Sequence, residues 1–250
     1  MITRLDHLAI AFPDLKAAVS EYRELGFEVQ EGGSHRGLGT HNAIVRFGLD
    51  YLELIAVRDE AEALAAGEAG RVAVDFVRKA GRGLLGFAVA TADAARDADR
   101  LAQCGVPTRV VAMERRRPDG RTLKWRLAIP EGGPWRHALP FLIEWETPDE
   151  ERLAWERPGR HRNGALGLAG VSIVVRDLER TAALYRDALG FGSDAPEESA
   201  GPSGHGRRFS LAGTDIRLFS PGDSGEAATT LASVGEGPFE FALRMREARG

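Results

Sequence analysis

Two glutamates and a histidine stand among apolar neighbours, where a polar side chain needs a reason. Glu53 lies inside YLELIAV and Glu144 inside PFLIEWETP. A carboxylate in a buried strand is costly unless it is paired or bound to a metal. Strand alternation puts Tyr51, Glu53 and Ile55 on one face and Leu52, Leu54 and Ala56 on the other, so neither face is plainly polar. By the same rule Leu142 and Glu146 share the face of Glu144. His7 sits in LDHLAIAF. A neutral imidazole on a rigid strand suits zinc, nickel, iron or manganese, and it is equally an ordinary histidine on a sheet face. His35 and His41 flank the glycine-rich GGSHRGLGTHN, which reads as a tight loop. Loops over a rigid scaffold often carry function; an ordinary surface loop is the alternative. Arg115, Arg116, Arg117 and Arg121 surround the turn Pro118-Asp119-Gly120. They form either a solvated tip or a clamp for a carboxylate-bearing substrate, whose oxygens guanidinium donors match in pairs. Trp125 and Arg126 follow on the same strand. His137, His161 and His205 lie in polar, Gly- or Arg-rich stretches and are expected at the surface. Cys104 fits a small buried helix residue better than a nucleophile. No nucleophile elbow, P-loop or dinucleotide fingerprint is present in a strand-to-helix context.

The elements that position these residues recur along the chain. PDLKAAVSEYRELGF (13–27) matches RDLERTAALYRDALGF (176–191), with Asp14, Leu15, Tyr22 and Arg23 on Asp177, Leu178, Tyr185 and Arg186 at an offset of 163. A weaker copy at an offset of 79 begins at FAVATAD (87–93) and reaches Cys104-Gly105-Val106. Each copy opens with a strand-like apolar run. Asp14, Asp93 or Asp177 then serves as a helix N-cap, an amphipathic helix follows, and Gly26, Gly105 or Gly190 stops it. Strands are expected over 41–47 and 51–57, then over 108–115, 121–129 and 140–146, then over 207–211 and 214–219. A fourth copy begins at PFEFALRM (238–245) and the chain ends there. The expected fold is α+β, with repeated βαβββ modules forming curved mixed sheets. Module one spans 1–58 and module two 83–147, joined by a linker helix over 59–82. A degenerate third module plus a final strand occupies 165–250.

Repeated βαβββ units carrying DHLAIAFPDLKAAVSEYRELGF and YLELIAV resemble the vicinal-oxygen-chelate superfamily, which holds glyoxalase I, bleomycin-resistance proteins and extradiol dioxygenases. GGSHRGLGTHNAIVRFGLDYLELIAV, LKWRLAIP and PFLIEWETP look more narrowly like its glyoxalase-like domain group, over about residues 1–165. The resemblance implies a cup, made by modules one and two, that holds a divalent metal ion (Zn, Ni, Fe or Mn) or a ligand. It implies His7, Glu53 and Glu144 as metal ligands, with Gly86 standing where a fourth would be. Glu53 or Glu144 would then also move the proton. His35, Thr40, His41, Asn42, Arg117 and Trp125 become candidate substrate-binding residues, and His41 a candidate substitute ligand. Gly170 and Arg217 at the corresponding positions leave the third module without ligands.

The implied activity is a metal-dependent lyase or isomerase that acts on a small oxygen-bearing substrate by enolate and proton-transfer chemistry. Two alternatives remain open: a non-catalytic small-molecule binder of the resistance type, which Gly86 favours, and an extradiol dioxygenase, which would need His35 or His41 as a second histidine. Composition sets outer limits. The 250 residues are 43% hydrophobic and 28% charged, an ordinary globular balance. A net charge of −4 argues against nucleic acid as a partner. No apolar run is long enough for a membrane span, the start does not read as a signal peptide, and one cysteine excludes a disulfide framework. A cytoplasmic protein with a small-molecule substrate or ligand, and possible homodimer formation, is the expectation.

Overall fold

A computed structural model describes residues 1–35, 37–116, 120–192, 195–198 and 204–247. Module one runs β1 (Ile2–Phe12), α1 (Leu15–Glu24), β2 (Gln30–His35), β3 (Thr40–Arg46) and β4 (Tyr51–Val57). Two short helices, α2 (Glu60–Ala65) and α3 (Glu68–Ala80), follow where one linker helix was expected. Gly67, at φ 98°, breaks them. Module two is β5 (Gly83–Thr91), α4 (Ala94–Gln103), β6 (Thr108–Arg116), β7 (Thr122–Pro130) and β8 (Phe141–Trp145), with α5 (Asp149–Trp155) behind it. The rest is β9 (Ala165–Val174), α6 (Leu178–Asp187), β10 (Ala195–Glu198), β11 (Gly204–Leu211), β12 (Thr214–Pro221), α7 (Glu226–Val234) and β13 (Gly237–Met245).

Modules one and two share an eight-stranded mixed sheet in the order β2-β3-β4-β1-β5-β8-β7-β6; the other five strands form β10-β11-β12-β9-β13. The three helices placed by the repeat start as predicted, with the carboxylates of Asp14, Asp93 and Asp177 accepting from the backbone N–H three residues on. Their apolar faces (Tyr22 on α1, Leu101 on α4, Tyr185 on α6) join one buried cluster with alternate residues of the strands, among them Leu8, Ile10, Val45, Leu54, Phe87 and Leu142. The opposite face of the large sheet is thereby left to line a cup.

Several expectations change. Strands β2 and β10 were not anticipated, and the glycine-rich segment is strand, turn, strand rather than a loop. Cys104 is exposed at the end of α4 rather than buried. His161 is buried, not on the surface; it accepts from Glu28 N–H through Nδ1 and lies 3.0 Å from the Arg46 carbonyl. No helix among the described residues is long and apolar enough to cross a membrane.

A backbone irregularity recurs at the head of every module. In β1 the ladder to β5 slips between Leu5 and His7, so Asp6 is a bulge residue. In β5 the slip falls at Leu85, just before Gly86. In the small sheet it falls at Ala169 of β9, before Gly170, and at Phe239 of β13, before Glu240. Asp6-His7 thus corresponds to Leu85-Gly86, Ala169-Gly170 and Phe239-Glu240. Only the first pair joins an acid to an imidazole.

Candidate functional site

The bulge is what lets consecutive residues of β1 work together. An extra residue breaks alternation, so Leu5 and Leu8 both face the core while Asp6 and His7 both stay on the cup side. Asp6 is fully buried, and its Oδ1 lies 2.8 Å from His7 Nδ1. Its other oxygen accepts from Arg4 at 2.8 Å and from the Trp145 indole at 3.0 Å. Burial alone would raise the Asp6 carboxyl, but the His7 hydrogen bond and the Arg4 charge outweigh it and hold it well below the usual range. An ionised Asp6 only accepts, so His7 Nδ1 carries the proton and a neutral His7 presents its Nε2 lone pair to the cup. Tyr51 stacks on the imidazole at 4.6 Å and Phe141 meets it edge-on at 5.4 Å, fixing the ring.

Glu53, on β4, completes the polar end. Its Oε2 stands 3.7 Å from His7 Nε2, and its Oε1 stands 3.7 Å from His35 Nε2. Asn42 donates to Oε1 at 2.5 Å. His35 is oriented by Thr40, whose hydroxyl lies 2.8 Å from Nδ1. Burial lowers the His35 pKa and the nearby Arg115 lowers it further, against the opposing pull of Glu53, so the ring is neutral at pH 7. His7, His35, Thr40, Asn42, Glu53 and Trp125 therefore gather on one cavity of about 300 Å3, whose remaining wall is largely apolar and aromatic.

Other predicted site residues lie elsewhere. Glu144 is on the far face of β8, where it accepts from Ala94 N–H at the start of α4 and pairs with Arg126 at 2.5 Å. Ladder register gives the reason. Glu53 pairs with Ala9 in β1, and the equivalent Ala88 in β5 pairs with Phe141. Phe141 is thus the counterpart of Glu53, and Glu144 sits three residues on with opposite parity. His41 likewise falls on the opposite face of β3 from Thr40 and Asn42, outside the cavity. Arg117 lies outside the described residues. Arg115, two positions earlier, lines the cavity instead. Asp6, Tyr51 and Trp145 were missed, and Arg115 was named only within the arginine group around the turn; the irregular Leu5-to-Leu8 spacing was the signal for Asp6.

The residues do not fit the expected metal. Two imidazoles and a carboxylate are suitable donors, but each imidazole addresses a different oxygen of Glu53, and one of those oxygens is held by Asn42. Among the described residues no group of three His, Cys, Asp or Glu side chains is placed to share one ion. At Gly86, the counterpart of His7, any side chain is excluded: a Cβ would stand 2.6 Å from the Pro134 carbonyl and the Trp135 ring.

Paired modules on one curled sheet, with a polar cluster at the head of the first strand, define a protein of the vicinal-oxygen-chelate superfamily. Within it, residues 5–189 match the model of the glyoxalase-like domain, and the chain belongs to that family. Comparison with curated proteins gives no match. Among solved structures, a hypothetical protein from Staphylococcus aureus is similar at TM-score 0.64 and 18% identity, over 86% of this chain and 85% of that one. A variant of 4-hydroxymandelate synthase from Streptomyces coelicolor has the same TM-score at 16% identity, over 97% of this chain and 71% of that one. These two share the fold. Methylmalonyl-CoA epimerase from Streptomyces coelicolor is 27% identical over 59% of this chain and 100% of that one, with a TM-score of 0.43.

Proposed function

We propose that the protein is a glyoxalase-like lyase or isomerase that moves a proton on a small oxygen-bearing substrate by acid–base chemistry of its own side chains. The observation that carries this reading is the facing pair His7 Nε2 and Glu53 Oε2. With Nδ1–H given to Asp6, a neutral His7 and an ionised Glu53 face each other as two acceptors, 3.7 Å apart, when no proton lies between them. A shared proton, or a hydrogen supplied by a ligand, reconciles them. Glu53 takes the hydrogen from a carbon next to a carbonyl, and the electron pair moves onto the carbonyl oxygen as an enolate. His35 is neutral, and if the Thr40 hydroxyl donates to Nδ1 its Nε2–H is free to donate to that oxygen. The proton then returns to carbon at the same or the neighbouring position, or a leaving group departs. His7, steadied by Asp6, holds or relays the proton between the two steps.

The test is deuterium uptake. Small carbonyl compounds incubated in D2O are followed by proton NMR with the native protein and with Glu53→Gln. Exchange with the native protein that is lost in Glu53→Gln, at unchanged melting temperature, supports the reading. Saturable binding without exchange favours the rival role of a non-catalytic binder, which the apolar second module would also serve. Metal analysis decides the remaining point. Stoichiometric zinc, nickel, iron or manganese that disappears in His7→Ala would return the site to metal-centred enolisation.

A further inference from the structure

We propose that the cup takes an aryl-bearing carboxylate, its ring against the wall built by module two and its carboxylate on Arg115. The proposal rests on the proton-transfer reading for which end of the pocket is reactive.

Module two supplies ring surface at the positions where module one supplies chemistry. Phe141 stands at the position that corresponds to Glu53, and Trp135 fills the space beside Gly86. Trp135 meets Phe141 at 5.7 Å, and Trp125 meets Trp145 at 5.4 Å. The Trp145 indole N–H is already given to Asp6, so that ring offers the ligand only its apolar surface. Such a wall favours a flat ring in offset or edge-on contact over an alkyl chain of equal size. The cavity volume, about 300 Å3, is at the low end for ligand pockets and accommodates one ring with a short chain.

The charge census of the cup points to an anion. Glu53 accepts from Asn42, Asp6 is held by Arg4, and Glu156 is held by Arg46 and Arg152. The half-buried Arg115 lines the same cavity and has no carboxylate partner among the described residues. A guanidinium is best met by two oxygens of one carboxylate. Arg115 lines the same cavity as His35 and Glu53, so a carboxylate on it shares the pocket with the polar end.

Binding is measured by tryptophan fluorescence and by calorimetry with three probes: 3-phenylpropanoate, the neutral 3-phenylpropanamide, and butanoate. The acid is expected to bind saturably, with the amide and butanoate each weaker by about tenfold or more. Arg115→Gln should bring the acid down to the level of the amide and leave the amide unchanged. Trp125→Ala should weaken acid and amide together. Melting curves confirm that each variant is folded. Equal binding of butanoate and 3-phenylpropanoate, no effect of Arg115→Gln, or no saturable binding of the acid to folded native protein overturns the proposal. The two readings fail separately. Selective aryl-acid binding with no deuterium exchange on any carbonyl compound sinks proton transfer alone. Exchange on aliphatic carbonyl compounds without aryl-acid binding sinks the present proposal alone.

Discussion

At the scale of single residues, the decisive contact is between neighbours in the chain. Asp6 fixes which nitrogen of His7 faces Glu53, so it is a positioning residue for the proton-transfer site. Asp6→Asn keeps the shape but offers an amide in place of an obligate acceptor. Loss of such an orienting carboxylate costs on the order of 10–100-fold where it has been measured around histidine ligands, and a similar drop in exchange is expected here. Two further readouts separate this from mere destabilisation: the pH–rate profile should move, and the NMR signal of the His7 Nδ1 proton should disappear. An unchanged profile in a folded variant would contradict the assignment. Glu144 gives the contrasting prediction. It caps α4 and pairs with Arg126 away from the cup. Glu144→Gln should leave deuterium exchange nearly unchanged while lowering stability by about 1 kcal/mol or less, because glutamine keeps an oxygen for Ala94 N–H and loses only the ion pair with the exposed Arg126, as read from urea denaturation. A large loss of exchange would show that Glu144 reaches the substrate after all.

At the scale of elements, the repeat made most of the fold legible. Helix caps at Asp14, Asp93 and Asp177, helix stops at glycine, and strands with clean alternation all carry local signals that tertiary packing does not overrule. Strand β2 was hidden because QEGGSH has neither β-branched residues nor alternation; it is a strand only because β3 offers it a ladder. The site was half legible. His7 and Glu53 announce themselves as polar groups in apolar strands. Glu144 misleads for the same reason, since composition cannot reveal parity when an unpatterned segment, 131–140, precedes the strand. Bulges hide the rest: Asp6 joins His7 only because β1 slips by one residue. The same slip at Leu85 leads into Gly86, where Trp135 covers the backbone. Gly86→Ala should therefore force Trp135 aside and destabilise the protein by about 1–3 kcal/mol, as overpacking does. It should also shift tryptophan emission. A neutral result in both measurements would mean that the wall is loosely packed.

At the scale of the whole molecule, one half-buried arginine ties the two sheets together, while separate titratable groups make stability depend on pH. Arg136, in the left-handed region at φ 48°, donates to the carbonyls of Leu84, Val234, Gly235 and Pro238, so one side chain ties β5 to the end of α7 and to β13. Burial pushes its pKa down to about 10, which leaves it charged at neutral pH. His137, one residue on, donates nothing to this clamp but accepts from Leu139 N–H at 3.0 Å. Burial lowers its pKa, as it lowers that of His35 in the cup. For both histidines the unfolded chain binds a proton more readily than the folded one. Stability then rises with pH wherever the unfolded state holds more protons. Their contribution is complete above the ordinary histidine value of about 6.5 and is lost as pH falls from there toward their lowered folded values. Asp6 has the same sign at lower pH. Its carboxyl is held down in the fold, so its share is present above the ordinary value of about 3.9 and is lost below it. The melting temperature should therefore be flat from pH 8 to 7, fall as the pH drops below about 6.5, and fall again below about pH 4. The double variant His35→Gln and His137→Gln should flatten the first descent and keep the second. A melting temperature that rises between pH 7 and 5, or a first descent unaltered in the double variant, would show that other groups set the acid response.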